Sequence, residues 1–150
     1  MKDTPLILSP AIARAIEAEG IAAYPNECCG VMYGMDVTTD GSGERVVEKI
    51  EPLLNAFDPT ERYHRFSVDP KELMRAEETA ARERRLVLGF YHSHPDHPAR
   101  PSEYDRVHAW PFYSYVIVAI AERRPGAMTS WLLDDQTEQF VEQRILEKSA

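Results

Sequence analysis

The apolar residues of this chain fall into short runs, and polar or amphipathic stretches separate them. Runs of four to eight apolar residues without helical spacing predict buried strands. The clearest run, 116–120, lies within a predicted central strand over 113–121. Further strands are predicted over 6–8, 27–33, 45–50, 66–68, 86–92, 128–133 and 137–141, with a polar hairpin loop over 36–44 and turns over 123–126 and 134–136.

Helix signals lie between these strands. Ser9 followed by Pro10 is a typical helix start, and it predicts a helix over 10–19 with Gly20 as its C-terminal cap. Asp69 and Pro70 begin a second predicted helix that runs to about residue 84. Its predicted apolar face comprises Leu73, Met74, Glu77 and Ala81. A third helix is predicted over 103–109, and a short helix or frayed tail over 142–148.

The order of these elements predicts the α/β fold class, with helices flanking a mixed β-sheet, although an α+β label would also fit. The 150 residues suit a single domain, 1–150, with its own core. The net charge of −8 argues against nucleic acid as a general partner. We expect a cytoplasmic protein, because the sequence shows neither a signal-peptide core nor a membrane-spanning apolar stretch.

The chemistry is concentrated at the end of the strand predicted over 86–92. His92 and His94 are two residues apart and therefore project from one face of an extended chain. Ser102 opens the next helix, and Asp105 lies one turn into it. Two histidines and one carboxylate are typical of a catalytic zinc site, because they leave the fourth position open. The pattern is therefore compatible with one zinc ion per chain.

Simpler interpretations exist for each part of this pattern. A histidine pair in a loop is commonly a surface feature. Ser102 and Asp105 also have the spacing of a helix capping box, and Ser102 can cap while Asp105 turns inward. The adjacent cysteines Cys28 and Cys29 are expected to be small core residues without a disulfide. A minor alternative makes His97 a competing ligand, and His108 is a potential partner of the metal site (both lie near it in sequence).

The spacing as a whole resembles the signature of the JAMM (MPN-plus) metalloproteases. The downstream part of this signature is the pair His92 and His94, followed at fixed spacing by Ser102 and Asp105. That family also has an upstream glutamate, and the segment 25–30 supplies one, Glu27, in the form Pro-Asn-Glu-Cys-Cys-Gly. The resemblance extends over about residues 9–134.

The resemblance implies a cytidine-deaminase-like architecture and hydrolysis of a peptide or isopeptide bond. It assigns zinc to His92, His94 and Asp105, the general base to Glu27 and an oxyanion donor to Ser102. It also implies a ubiquitin-like sulfur-carrier protein with a glycine C-terminus as the partner. Polyubiquitin fits poorly, because family members that act on it commonly carry a sizeable insertion between the metal-site helix and the next strand, and here only a short segment precedes the strand at residue 113. The family's substrate groove corresponds to the segment containing Asn55, Tyr63 and Phe66, which is otherwise a surface loop.

Three other functions remain open at this point. The first is a non-catalytic MPN-type binding or scaffold module, which the intact set of five site residues disfavours. The second is a zinc amidase acting on a small substrate. The third is a DNA-repair-like relative, against which the acidic charge argues. The sequence leaves the oligomeric state and the identity of the carrier protein undetermined.

Overall fold

The structure, a computed structural model, describes residues 4–39, 41–53 and 69–149. Within these ranges the chain forms eight strands and three helices, and each helix lies between two strands in sequence. The strands are β1 (Leu6–Leu8), β2 (Cys29–Thr39), β3 (Ser42–Leu53), β4 (Leu86–Pro95), β5 (Ser114–Ala121), β6 (Arg124–Leu133), β7 (Phe140–Gln143) and β8 (Ile145–Glu147). The helices are α1 (Pro10–Ala23), α2 (Pro70–Arg82) and α3 (Glu103–Val107).

The strands form one mixed sheet in the order β7-β6-β5-β4-β2-β3-β1-β8. β4 lies in the interior of this sheet, antiparallel to β2 on one side and parallel to β5 on the other. Helix α1 packs against β4 and β5, and α2 packs against β4. The predicted α/β class with helices flanking a mixed sheet is therefore confirmed.

Two apolar clusters stabilise the sheet. One contains Ile16 of α1 together with Tyr91 and Ile120 of the sheet. The other contains Ala76 of α2 and Phe90 of β4. Successive residues of a strand point to opposite faces, so β4 contributes to both clusters. His92 and His94 share the face of Phe90, and Ser93 shares the face of Tyr91.

Helix α1 is longer than predicted, because Gly20 lies inside it rather than at its cap. Ser9 caps the N-terminus as expected, and its side chain accepts a hydrogen bond from the Ile12 backbone N–H at 3.2 Å. A β-carbon at Gly20 would lie 2.9 Å from Cγ1 of Ile120 and 3.3 Å from Cβ of Ser93. Gly20 therefore allows close packing of the helix on the sheet. This requirement comes from the tertiary structure, and the sequence alone indicated a helix cap instead.

The predicted inner face of α2 is wrong apart from Leu73, which is half-buried. The buried residues are Ala76, Thr79 and Ala80, whereas Met74 is 64% exposed. Small side chains carry little weight in a hydrophobicity pattern. They occupy this face because α2 lies close to the sheet.

The ends of several strands differ from the predictions. β2 and β3 continue through most of the predicted loop over 36–44 as a long hairpin. The turn before β6 lies at Glu122 and Arg123, both with positive φ, and Arg124 already belongs to the strand. The predicted helix over 142–148 is wrong. This segment completes β7 and forms β8, which pairs in parallel with β1 from the opposite end of the chain.

The predicted groove residues Asn55, Tyr63 and Phe66, and the strand predicted over 66–68, lie outside the described residues. Within the described ranges, no helix is both long enough and apolar enough to span a membrane.

Candidate metal centre

The two histidines belong to the last residues of β4. His92 is paired with Cys29 of β2 and with Ile117 of β5, and His94 lies opposite Ala119 of β5. His92 is 1% exposed and His94 is 6% exposed. Neighbouring strands therefore fix the backbone of both residues, and their rings point to one side of the sheet.

Helix α3 supplies the carboxylate. The hydroxyl oxygen of Ser102 accepts a hydrogen bond from the Asp105 backbone N–H at 3.0 Å, and Oδ2 of Asp105 accepts one from the Ser102 N–H at 2.8 Å. This reciprocal pair is a capping box. The same Oδ2 faces both histidines, so the cap and the inward orientation coexist, as the sequence predicted.

The three side chains converge on one point. Nε2 of His92 lies 3.1 Å from Nε2 of His94, and Oδ2 of Asp105 lies 3.4 Å and 3.3 Å from these two nitrogens. For metal–ligand bonds of about 2.05 Å, the edges of a tetrahedron are about 3.3 Å long. The three atoms thus have the separation of ligands around one zinc-sized ion, and they are a group able to hold a metal.

The tautomer of His94 supports this interpretation. Its Nδ1 lies 2.9 Å from the carbonyl oxygen of Pro98. A carbonyl oxygen only accepts hydrogen bonds, so Nδ1 must carry the proton. In the neutral ring Nε2 then presents a lone pair toward His92 and Asp105. A backbone carbonyl in this position is a common way to orient a metal-binding histidine.

The electrostatics of the cluster favour metal ligation. Burial lowers the pKa of His92, against the opposing effect of Asp105, and thus favours the neutral ring. Burial raises the pKa of Asp105, but His92, His94 and the Ser102 N–H outweigh it and hold this pKa well below its ordinary value. Burial lowers the pKa of His94, but Asp105 and the Pro98 carbonyl outweigh it and raise this pKa. The cluster therefore offers an ionised carboxylate and the neutral ring of His92, and a cation would have to displace the proton that Asp105 favours on His94.

Glu27 lies at the edge of this cluster, two residues before β2. It is 5% exposed, and burial raises its pKa to about 8, with a smaller lowering effect from His94. The next residue, Cys28, is hydrogen-bonded to Ser93 between the two histidines, so the backbone of Glu27 lies beside the strand that carries these ligands, although Glu27 is outside the group of three ligand atoms. A buried acid with a pKa near neutrality is suited to proton transfer.

Ser93 connects the glutamate segment to β4. The Cys28 N–H donates to Oγ of Ser93 at 2.9 Å, and the Ser93 N–H donates to the Cys28 carbonyl oxygen at 3.2 Å. The residue between the two histidines therefore holds the backbone immediately after Glu27. The sequence predicted only that Ser93 faces away from the histidines.

The two cysteines are free, as predicted. Cys29 is buried against the α2 side of the sheet, and Cys28 packs against the α1 side. His97 is exposed and lies outside the ligand group, so the minor alternative in which it competes as a ligand gains no support. His108 directs Nδ1 to the carbonyl oxygen of Tyr104 at 2.9 Å, so this nitrogen is not a partner of Asp105.

An aromatic pocket adjoins the ligands, and the sequence did not predict it. Its volume is about 190 Å³, and His92 and Asp105 form part of its wall. The other described residues that line it are Leu73, Phe90, Pro101, Tyr104, His108, Trp110, Tyr115, Ile117 and Phe140. They come from separate elements of the fold, so no local motif marks the pocket.

The α/β fold and the convergence of His92, His94 and Asp105 agree with the resemblance noted in the sequence. A family model described as prokaryotic homologs of the JAB domain matches residues 9–134. The chain belongs to this family.

Curated relatives agree with this membership. The chain is 37% identical over 131 residues to a desampylase of Haloferax volcanii, covering 82% of this chain and 83% of that protein. It is 27% identical over 134 residues to a desampylase of Pyrococcus furiosus, covering 87% and 83%. Tail tip assembly protein K of Escherichia phage N15 is 34% identical over 93 residues, which cover 61% of this chain but only 31% of the phage protein.

Solved structures share the fold. A solution structure of a protein from Desulfitobacterium hafniense has a TM-score of 0.79 at 30% identity, covering 97% of this chain and 94% of that one. A JAB1/MPN domain protein from Archaeoglobus fulgidus has a TM-score of 0.54 at 19% identity, covering 96% and 100%. The second likeness concerns the fold alone.

Proposed function

We propose that this chain is a zinc-dependent peptidase or isopeptidase that hydrolyses the bond after the C-terminal glycine of a ubiquitin-like sulfur-carrier protein. The observation that carries the proposal is the triangle of His92, His94 and Asp105, whose ligand atoms are 3.1–3.4 Å apart. Family membership and the two relatives named desampylase support the class of reaction and a ubiquitin-like partner.

In this proposal one zinc ion is held by Nε2 of His92, Nε2 of His94 and Oδ2 of Asp105. Zinc in a site with an open position acts as a Lewis acid that acidifies water and polarises a carbonyl group. Neighbouring strands fix the two histidines and the capping box orients Asp105, so the three ligand atoms already have the separation that zinc requires. The Pro98 carbonyl keeps the proton of His94 away from the metal side of the ring.

Glu27 is the proposed general base. Its carboxylate takes a proton from the attacking water and then delivers it to the amine that leaves. A positioned acid or base contributes a factor of about 10² to 10⁴ to the rate. A bound dication nearby would favour the ionised form of Glu27, against the burial that raises its pKa in the metal-free protein.

Ser102 is the proposed oxyanion donor. Its oxygen already accepts the Asp105 N–H, but the hydroxyl proton is available for donation toward the site. Ser102 is exposed, so a substrate can reach it. A donor directed at the developing negative charge lowers the barrier by about 3 kcal/mol.

The test uses a ubiquitin-like carrier protein extended by one residue beyond its terminal glycine, with mass spectrometry to detect the released residue. We expect hydrolysis by zinc-loaded protein and loss of hydrolysis after chelation. A short glycine-glycine peptide with the same extension is the comparison. Equal turnover of the peptide and the carrier would point to a small-substrate amidase, and no turnover of either by zinc-loaded protein would favour a scaffold module.

A further inference from the structure

The aromatic pocket is continuous with the metal centre, since His92 and Asp105 belong to both. A side chain bound in the pocket can therefore belong to a residue that is directly attached to the reacting bond. Its volume of about 190 Å³ is adequate for one large side chain, because an apolar cavity of about 150 Å³ can hold a benzene ring.

The walls of the pocket are built in advance by contacts between rings. Tyr115 packs edge-to-face against Phe140 at 6.0 Å between centroids and stacks with Phe90 at 6.3 Å. Tyr104 stacks on His108 at 4.1 Å. Rings held in this way lose little conformational freedom when a ligand binds.

Trp110 forms the rim of the pocket. Its backbone N–H donates to the hydroxyl oxygen of Tyr115 at 2.8 Å, which fixes the main chain, while the residue is 63% exposed. An exposed tryptophan beside an aromatic pocket is typical of a binding surface, because it offers a large apolar area at low entropic cost.

The charge of the lining restricts the occupant. Among the described residues that line the pocket there is no lysine or arginine, and the one carboxylate is Asp105, which faces the histidines. A charged side chain would lose its hydration here without gaining a partner. The pocket therefore fits an apolar or aromatic group.

The proposed function determines which residue of the substrate this group belongs to. The residue before the scissile bond is glycine, which has no side chain. Residues further upstream lie about 3.3 Å farther away for each position in an extended chain. The residue released from the glycine is directly attached to the reacting amide, and its side chain is the nearest one available to the pocket.

We propose that this pocket selects the released residue, with a preference for large apolar or aromatic side chains. This inference rests on the proposed function and adds a substrate preference to it. Trp110, Tyr104 and Phe140 are specificity-determining residues in this assignment, because they are aromatic residues of the wall that do not ligate the metal.

The test measures peptide binding separately from hydrolysis. Peptides of the form acetyl-Ala-Ala-Gly-Gly-Xaa-amide, with Phe, Leu, Ser or Asp as the last residue, are titrated calorimetrically into the zinc-loaded Glu27→Gln variant. We expect the Phe and Leu peptides to bind about tenfold more tightly than the Ser and Asp peptides, the effect of burying a large apolar side chain.

Two exposed apolar residues of the same region provide a matched pair of variants. Trp110→Ala, made in the Glu27→Gln protein, should reduce the tenfold preference to about twofold, and Trp110→Phe should retain most of it. Val107 is 61% exposed but does not line the pocket, so Val107→Ala should leave the preference unchanged.

Equal binding of all four peptides would overturn the proposal. So would the same loss of preference in Trp110→Ala and Val107→Ala, or tighter binding of a lysine attached through its side-chain amine. Preferential binding of the Phe and Leu peptides, with no hydrolysis of the extended carrier protein by the zinc-loaded wild type, would refute the proposed function and leave the apolar preference of the pocket supported. The two failures are therefore distinguishable.

Discussion

The two halves of the candidate metal centre are held by different means. His92 and His94 lie in an interior strand with partners on both sides, and both are buried. Ser102 and Asp105 lie at the start of a five-residue helix in which no residue is fully buried. The sheet holds the first half through the hydrophobic core, whereas a capping box holds the second.

This difference means that the histidine half depends on the stability of the fold, whereas the helix half depends on the bound metal. The histidine half should keep its geometry whether or not a metal is present, because core packing and strand pairing fix it. The helix half has few other contacts and should gain much of its order from the metal. Substitutions in the two halves should therefore differ in how they affect rate, zinc content and folding stability. Four predictions follow, from the largest expected effect to the smallest.

Glu27→Gln should have the largest effect on rate. Glu27 adjoins the sheet-held half but is outside the ligand group. The variant should therefore bind zinc like the wild type and lose activity by a factor of about 10² to 10⁴. Zinc content and kcat are measured on the same samples. A zinc-loaded variant with wild-type activity would remove Glu27 from the mechanism.

Ser102 allows its cap and its hydroxyl group to be tested separately. Glycine is nearly as good an N-cap as serine, whereas alanine costs about 1 kcal/mol. If Ser102 donates to the oxyanion, Ser102→Gly and Ser102→Ala should both lose activity about a hundredfold. Near-normal kcat in Ser102→Gly, with a loss in Ser102→Ala alone, would mean that Ser102 acts only by holding Asp105.

The buried acid beside the histidines should make the metal-free protein less stable as pH rises. The ordinary pKa of Glu27 is 4.5 and its folded value is about 8, so between these values the native state binds a proton that the unfolded state does not. The contribution of Glu27 to the free energy of unfolding is complete below pH 4.5 and decreases as pH rises to 8, by roughly 2 kcal/mol between pH 6 and pH 8.

Urea denaturation of wild type and Glu27→Gln in the presence of chelator measures this effect. The stability of the wild type relative to the variant should fall over this pH range. Parallel pH profiles of the two proteins would contradict the raised pKa.

Ser93→Ala should have the smallest effect. Its hydroxyl accepts the Cys28 N–H and so positions the segment that carries Glu27. Loss of one such hydrogen bond corresponds to about 1 kcal/mol, or roughly a fivefold decrease in kcat. Zinc content should be unchanged, and Ser93→Thr should restore the rate. Loss of zinc from Ser93→Ala would show that Ser93 supports the ligands instead.

The features predicted well from the sequence have local causes. The alternation along β4 determines the shared direction of His92 and His94. The spacing of Ser102 and Asp105 is a property of one helical turn. Both depend on neighbours in the chain, so a residue pattern is sufficient to predict them.

The features missed depend on distant parts of the chain. Residues 145–147 form a strand because β1 offers them an edge. Gly20 is required by the proximity of Ile120, and the small residues of α2 by its close approach to the sheet. The aromatic pocket combines β4, β5, β7, α2, α3 and the segment that follows α3, which no single stretch of sequence reveals.

The most direct test of the central claim is zinc content after purification without chelator, measured on the wild type and on Asp105→Ala together. The wild type should contain about one zinc per chain, and the variant should lose it while remaining folded, because α3 contributes little to the core. A wild type that contains no zinc and takes up none when it is added would contradict the metalloprotease account, and His92, His94 and Asp105 would then have a purely structural role.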